Sequence, residues 1–395
     1  MSLRIVHVAN FYGPRSGGLR TTMHALGAGY EAAGHEMVMV VPGPADADER
    51  TPSGRRITLA APVVPGTGGY RVITHVDRVR RVLAELGPDR LEVSDRSTLR
   101  GLGADARRLG VPSVFFAHER LDGVLAALLP PGARALAPTR TVADLHNRTT
   151  AARFDRIVCT THFAAEEFDR IGRATQHVPL GVDLDTFHPR RFDAEVRARH
   201  AREDEVLVVM ASRLSAEKRP GTALDAVAEL RARGVRVRLV VVGDGPLAPA
   251  LRRRAESLPV SFAGFLGSRP ELAGLLAVAD VVLAPGPIET FGLAALEALA
   301  AGTAVVCHRG SALPEVIGSA GAVAPGTGAG FADAVQRLLD RPADERRATA
   351  RRRAERFSWQ RTVDTLLALH ARHPEPAQGR GARGRSGSTQ GRIRA

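Results

Sequence analysis

The sequence predicts an α/β protein of two doubly wound domains that face a deep cleft. Three observations carry that reading. Short apolar runs alternate with helical patterns in both halves, Gly-rich turns follow the runs, and 395 residues exceed one ordinary core. In the N-terminal half an apolar run at 5–9 leads through the loop FYGPRSGGLR into a helical pattern at 21–33. Gly34 stops that helix, and a second apolar run follows at 37–41. In the C-terminal half the run 206–211 (VLVVMA) precedes a helix at 222–233 ended by Gly234, a strand at 237–242, the turn GDGP and another helix. Further strands are expected at 260–262, 281–284, 304–307 and 321–324. The polar, Gly/Pro-marked segment VPLGVDLDTFHP (178–189) marks the junction, so the expected parts are 1–180, a linker 181–190 and 191–356. Residues 357–372 (FSWQRTVDTLLALHAR) read as an amphipathic helix packing back on the first domain, and 373–395 as a disordered basic tail.

Composition narrows the class. Hydrophobic residues at 44% and charged residues at 25% exclude a disordered or fibrous chain. Two cysteines, Cys159 and Cys307, provide neither a disulfide framework nor a four-ligand zinc site, which points to a reducing cytoplasm. The N-terminus MSLRIVHVANFYGP lacks the pattern of a signal peptide. No apolar stretch reaches the roughly 18 residues that would span a bilayer; AGLLAVADVVLAPG is interrupted by Asp280. A peripheral position on the inner face of the cell membrane stays open. Of the net charge of +13, the tail carries +4 from five Arg and one Glu. Lys218 is the only lysine beside 54 arginines, a bias that leaves the retained ammonium to be explained.

In such folds ligands bind beyond the carboxyl ends of the strands. After the run 206–211 comes SRLSAEKRP, with Arg213 and Lys218 in one loop. After 281–284 comes PGPIETFGLAALEALAAG, with seven residues between Glu289 and Glu297. A strong helix is expected at 292–301, so Thr290, Phe291 and Gly292 fall at a helix start, whose free N–H groups suit a phosphate or a hydroxylated ligand. A diphosphate needs cations, which Arg213 and Lys218 could supply. Taken alone, Lys218 reads equally as a solvated helix-start residue.

SRLSAEKRP, GDGP, FAGFLG and ETFGLAALEALAAG, in that order, resemble the retaining glycosyltransferases of family four, with the GT-B fold of two Rossmann-like domains. GVDLDTFHP, FSWQR and FYGPRSGGLR fit the same pattern, so the resemblance covers residues 3–370. The chain is similar to actinobacterial phosphatidylinositol mannoside α-mannosyltransferases, the type that adds a third mannose. The resemblance implies a GDP-mannose donor, a glycolipid acceptor and no required metal or cofactor. It implies that Arg213 and Lys218 bind the donor diphosphate. Glu289, with the backbone at Phe291, Gly292 and Leu293, would hold the transferred sugar, and Glu297 the ribose. Gly264, Phe265 and Leu266 would meet the base.

In the N-terminal half, Gly17 and Gly18 precede a helix, where paired glycines admit close approach of a ligand; a plain turn is the other reading. The resemblance assigns this loop to donor phosphate and acceptor. His118 follows the run 114–117 and would contact the transferred sugar. Tyr12, Arg15, Arg20, Asp95, Arg96 and Arg140 are candidate acceptor-cleft residues, each also readable as solvated surface. Residues 71–86 read as a basic helix on which Arg78, Arg80 and Arg81 suit an anionic lipid surface, or equally a core helix with a solvated face. Asp46-Ala-Asp48 in an acidic loop and Asp183-Leu-Asp185 in the linker spell a metal-binding DxD motif, but neither follows a cleft strand, and both read as structural.

The combined expectation is a retaining α-mannosyltransferase working by front-face attack, since no residue stands out as a second-face carboxylate nucleophile. Alternatives are a UDP-sugar donor, a soluble acceptor or a nucleotide-sugar epimerase. A basic nucleic-acid-binding protein is disfavoured by only 4% aromatics and no groove-reading motif.

Overall fold

A computed structural model of the protein describes residues 2–13, 17–65, 69–134 and 136–372. Arg15 and the tail 373–395 lie outside the described residues. The first domain is built on an eight-stranded sheet. Its strands are β1 (Arg4–Ala9), β2 (Glu36–Gly43), β3 (Ala47–Thr51), β4 (Gly54–Ala60), β5 (Arg90–Ser94), β6 (Ser113–Ala117), β7 (Arg156–Cys159) and β8 (Gln176–His177). Their order is β3-β4-β2-β1-β5-β6-β7-β8, and only β3 runs antiparallel to its neighbour. The second domain holds six parallel strands: β9 (Val206–Ala211), β10 (Val237–Val242), β11 (Val260–Gly264), β12 (Val281–Ala284), β13 (Ala304–His308) and β14 (Gly321–Ala324), in the order β11-β10-β9-β12-β13-β14.

The runs VLVVMA and VRLVVV are apolar on both faces because helices cover both sides of each parallel sheet. Each sheet reverses its strand order once, between β1 and β5 and between β9 and β12. At such a switch point neighbouring connections leave in opposite directions and open a crevice at the strand ends. Of these, β1, β9 and β12 lead into the Gly17, Arg213 and Glu289 loops singled out in the sequence, while His118 follows β6 and Gly264 ends β11. Cys159 and Cys307 are buried free thiols in different domains.

Two expectations need correction. The acidic stretch at 46–50 is not a loop: Ala47–Thr51 forms the edge strand β3, where Asp48 and Glu49 pair across the hairpin with Arg55 and Arg56. Those cross-strand ion pairs satisfy charges that read as loop-like in one dimension. Asp46 accepts from the Ala60 N–H at 2.7 Å and from Arg78 at 2.6 Å, tying β3 to its neighbours, and Asp183 accepts from the N–H groups of Asp185 and Thr186 and holds a turn. The basic helix spans Val76–Leu86, not 71–86. Arg71 bridges Val63, and the Ile73 N–H donates to Asn10 Oδ1 at 2.8 Å, so that stretch is held extended.

The chain crosses between domains at two adjacent places. Val182 pairs with Ser358 and donates its N–H to Phe357 O at 3.0 Å. The final helix, Trp359–Ala371, starts at Ser358, whose hydroxyl accepts from the Arg361 N–H. Its Val363, Leu366 and Leu369 pack with Ile5, Met23 and Tyr30 of the first domain. Arg90 donates to His370 O at 2.9 Å from β5.

Candidate active site

Three loops at the ends of β9, β10 and β11 are knitted together by backbone bonds. Leu214 N–H donates to Asp244 O at 3.0 Å, and Gly243 N–H to Gly264 O at 2.7 Å. Gly243 has φ +122, and a Cβ there would stand 2.0 Å from Ser212 O, so only glycine lets the GDGP turn press on the Arg213 loop. Arg213 extends across the cleft, its guanidinium carbon 5.1 Å from the centre of the Tyr70 ring. Lys218 ends a single 3₁₀ turn, Ala216–Lys218, and its ammonium bonds Glu289 from the loop after β12. Burial acts to lower the Lys218 pKa, and the Glu289 carboxylate outweighs it, so the amine is held protonated.

The ETFG turn ends at Gly292 (φ +82), which caps the helix Leu293–Ala300. Phe291 turns into the core against Phe357, leaving its backbone at the site. Gly18, the first residue of helix Gly18–Ala32, lies against Leu293, a Cβ on it standing 3.9 Å from Leu293 Cδ1. Gly17 has open space where a side chain would sit. Two helix starts, one from each domain, therefore face each other beside the Lys218–Glu289 pair. That is an electropositive slot with a carboxylate at its edge, suited to an anionic ligand bearing hydroxyls.

Glu297 sits one helical layer deeper, buried, 3.3 Å from Arg269. Burial and the Asp183 charge raise its pKa to about 7, against the opposing pull of Arg269. Gly264 (φ +71) turns the chain so that Phe265 is exposed while Leu266 packs on the core.

His118 is stacked on Phe116 and half-buried, and desolvation with the His7 and Arg96 charges pushes its pKa down to about 3. The ring is neutral at any working pH. Its Nε2 meets Ser94 Oγ at 2.7 Å, and Ser94 Oγ meets His7 Nε2 at 2.7 Å. His7 Nδ1 lies 2.9 Å from Glu92, whose other oxygen accepts from Tyr30 and bonds His370 at 2.8 Å each. Burial pushes the Glu92 pKa up, but its bonds to His370 and His7 win and hold it well below the usual carboxylate range. A chain of polar contacts thus runs from His370 on the final helix through Glu92, His7 and Ser94 to His118, with the His7–Glu92 step an ion contact.

Other expected residues are engaged elsewhere. The Thr290 hydroxyl donates to His118 O, and its carbonyl accepts from Thr161 at 2.8 Å and Thr160 at 3.3 Å, tying the turn to the first domain. The Tyr12 hydroxyl is taken by His24 at 2.7 Å and Arg56 at 3.3 Å. Asp95 accepts from the Ser97 and Leu99 N–H groups and from the Ser97 hydroxyl, and so caps the turn after β5. Arg96 bonds Glu119 O and Asn147 and lies 3.6 Å from Glu167. These three carry internal bonds that brace the loops around the cleft. Arg20 lies on the helix Gly18–Ala32, where its charge depresses the His24 pKa behind burial, and Arg140 is exposed on the helix Thr139–Ala151.

Sequence reasoning missed Ser94, His7, Tyr70 and Arg269. A histidine inside RIVHVA and a glutamate inside RLEVS were the available signals: polar groups in central strands need buried partners.

Two facing Rossmann-like domains with this slot between them define a GT-B glycosyltransferase. Residues 17–181 match the glycosyl transferase 4-like domain, and residues 205–341 match glycosyl transferases group 1. The chain is 52% identical over 369 residues to the GDP-mannose-dependent alpha-(1-6)-phosphatidylinositol dimannoside mannosyltransferase of Mycobacterium tuberculosis, covering 93% of this chain and 95% of that one. It is 36% identical over 301 residues to the D-inositol 3-phosphate glycosyltransferase of Mycolicibacterium smegmatis, covering 70% and 67%. Among solved structures, sucrose-phosphate synthase from Thermosynechococcus elongatus aligns with a TM-score of 0.75 at 22% identity, covering 93% and 98%. Anabaena HepE in complex with UDP aligns at 0.72 and 17%, covering 93% and 99%. The chain belongs to the group 1 glycosyltransferases of family four.

Proposed function

We propose that this enzyme transfers mannose from GDP-mannose to a phosphatidylinositol mannoside, with retention. The observation that carries donor and acceptor is the 52% identity to the mycobacterial dimannoside mannosyltransferase over nearly the whole of both chains. In the reaction the bond from mannose C1 to the β-phosphate oxygen breaks, and C1 bonds an acceptor hydroxyl on the same face. The hydroxyl's proton passes to the departing phosphate, leaving GDP and the lengthened glycolipid. Arg213 and Lys218 balance the charge that grows on the leaving group, with no metal in that role. Glu289 is engaged by Lys218 and Glu297 by Arg269, which suits hydroxyl binding better than covalent attack. His118, being neutral, offers a hydrogen bond to the sugar without adding charge.

A lipid acceptor brings the enzyme to a membrane surface, and no described helix is long and apolar enough to cross one. Arg78 pairs with Asp46, and Arg80 with Asp77 and Asp105, so of these three only Arg81 has no ion pair among the described residues. Leu136, Val142 and Leu145 are 88%, 51% and 63% exposed. Arg140 and Arg148, both exposed, flank them on or beside helix Thr139–Ala151. We assign the lipid-facing surface to that second patch.

The test is incubation with labelled GDP-mannose and phosphatidylinositol dimannoside. The expected product is a labelled lipid with one more α-linked mannose, and UDP-glucose gives none. Label appearing on inositol phosphate instead of lipid would overturn the acceptor assignment.

A further inference from the structure

We propose that His162, His177 and Glu315 form a site for a divalent transition-metal ion of the zinc class that bridges the two domains. His162 opens helix His162–Asp169, His177 ends β8, and Glu315 lies on helix Leu313–Ile317 of the second domain. One donor atom from each lies within 4.8 Å of the other two. His177 Nε2 is 3.4 Å from Glu315 Oε1. That separation matches the edge of a tetrahedron whose metal–ligand bonds are about 2.05 Å long. The two imidazoles stack with centroids 4.4 Å apart and planes 26° apart, so the His162 ring turns out of the stack when both nitrogens point at one ion.

Two of the three ligands are held in place. Glu315 accepts from the His162 backbone N–H at 3.0 and 3.2 Å, and the His177 ring bonds the Thr160 backbone. Such outer bonds fix a ligating group's orientation. The His177 and Glu315 side chains are 36% and 32% exposed, so an ion can enter and water can complete its shell. Two imidazoles and one carboxylate suit zinc, cobalt or nickel over magnesium or calcium.

The site adjoins the donor turn. Ala312 N–H donates to Glu289 O at 2.8 Å, and a Cβ on Gly292 would stand 2.4 Å from Leu313 Cδ2. An ion here fastens that turn to the first domain, beside the Thr160 and Thr161 bonds to Thr290. Because its ligands come from both domains, the ion favours this docked arrangement by mass action. It takes no part in sugar transfer, and the inference does not depend on the identity of donor or acceptor.

The test uses the full-length protein without an affinity tag, titrated with Co²⁺ followed by visible absorption and with Zn²⁺ by calorimetry. One ion per chain is expected, with a tetrahedral Co²⁺ band that Zn²⁺ abolishes. His177→Ala and Glu315→Gln should each weaken binding by about tenfold or more, judged on variants with wild-type circular dichroism. Zn²⁺ should slow amide exchange around 160–164 and 312–317 together. Unchanged affinity in His177→Ala, or no binding at millimolar Co²⁺, would overturn the site; slowed exchange in only one of the two segments would overturn the bridge.

Discussion

The Glu297→Gln variant should bind GDP as well as the wild type at pH 5.5 and markedly worse at pH 8.5. Glu297 is buried against Arg269, and its pKa stands at about 7, above the usual carboxylate value, because burial and the Asp183 charge outweigh Arg269. The sign follows from that elevation. Below pH 7 the carboxyl is protonated and resembles the amide, whereas above pH 7 it is a carboxylate that can accept from two ribose hydroxyls. Hydrogen bonds to a charged group contribute roughly 1.5–3 kcal/mol, or about tenfold to a hundredfold in affinity. The variant to wild-type ratio of Kd should therefore climb from about one to at least about tenfold across the titration, the rise ending near pH 7, where the free carboxyl ionises. Using the ratio cancels the titration of the GDP phosphate, which both proteins share. Calorimetry from pH 5.5 to 8.5 measures it. A ratio independent of pH would refute either the buried carboxyl's titration or its contact with the nucleotide.

Further outcomes are expected at the slot. Arg213→Ala and Lys218→Ala should each lower kcat by about 10²–10³ while circular dichroism stays that of the wild type; near-normal turnover would remove them from the leaving group. Ser94→Ala deprives His118 and His7 of their shared partner and should lower kcat about tenfold with donor KM little changed, and Ser94→Thr should restore it. An equal loss in both variants would point to packing alone. Gly292→Ala combines φ +82 with a methyl 2.4 Å from Leu313 Cδ2, so urea denaturation should register a loss of about 1–3 kcal/mol. Leu145→Glu should reduce sedimentation with anionic vesicles, whereas Arg80→Glu should not.

Local patterning carried much of the fold. The runs at 206–211, 237–242 and 281–284 coincide with β9, β10 and β12, since strands buried on both faces must be apolar throughout. Gly34 and Gly234 stand just past their helices at φ +83 and +81, where a left-handed turn ends a helix whatever the surroundings. Helix starts were less legible. The pattern at 21–33 begins at Gly18, because glycine carries no apolar signal even where it opens a helix against the other domain.

The candidate site divides in the same way. Glu289 and Lys218 were readable because each follows a strand that the sequence marks by itself, and Lys218 is alone among arginines. Tyr12, Asp95 and Arg96 were not readable as fold-holding residues. Their partners, His24 and Arg56, the Ser97 turn, and Asn147 with Glu119, become known only when the chain is folded.

The sequence alone determined that two parallel sheets would form and which loops would meet at their switch points, because strand period and strand-end chemistry are local properties. Only the tertiary structure decided that Lys218 meets Glu289 across 71 residues, that His118 ends a chain of polar contacts begun on the last helix, and that His162, His177 and Glu315 converge. Those pairings depend on how two separately built domains dock. No local pattern encodes that distance.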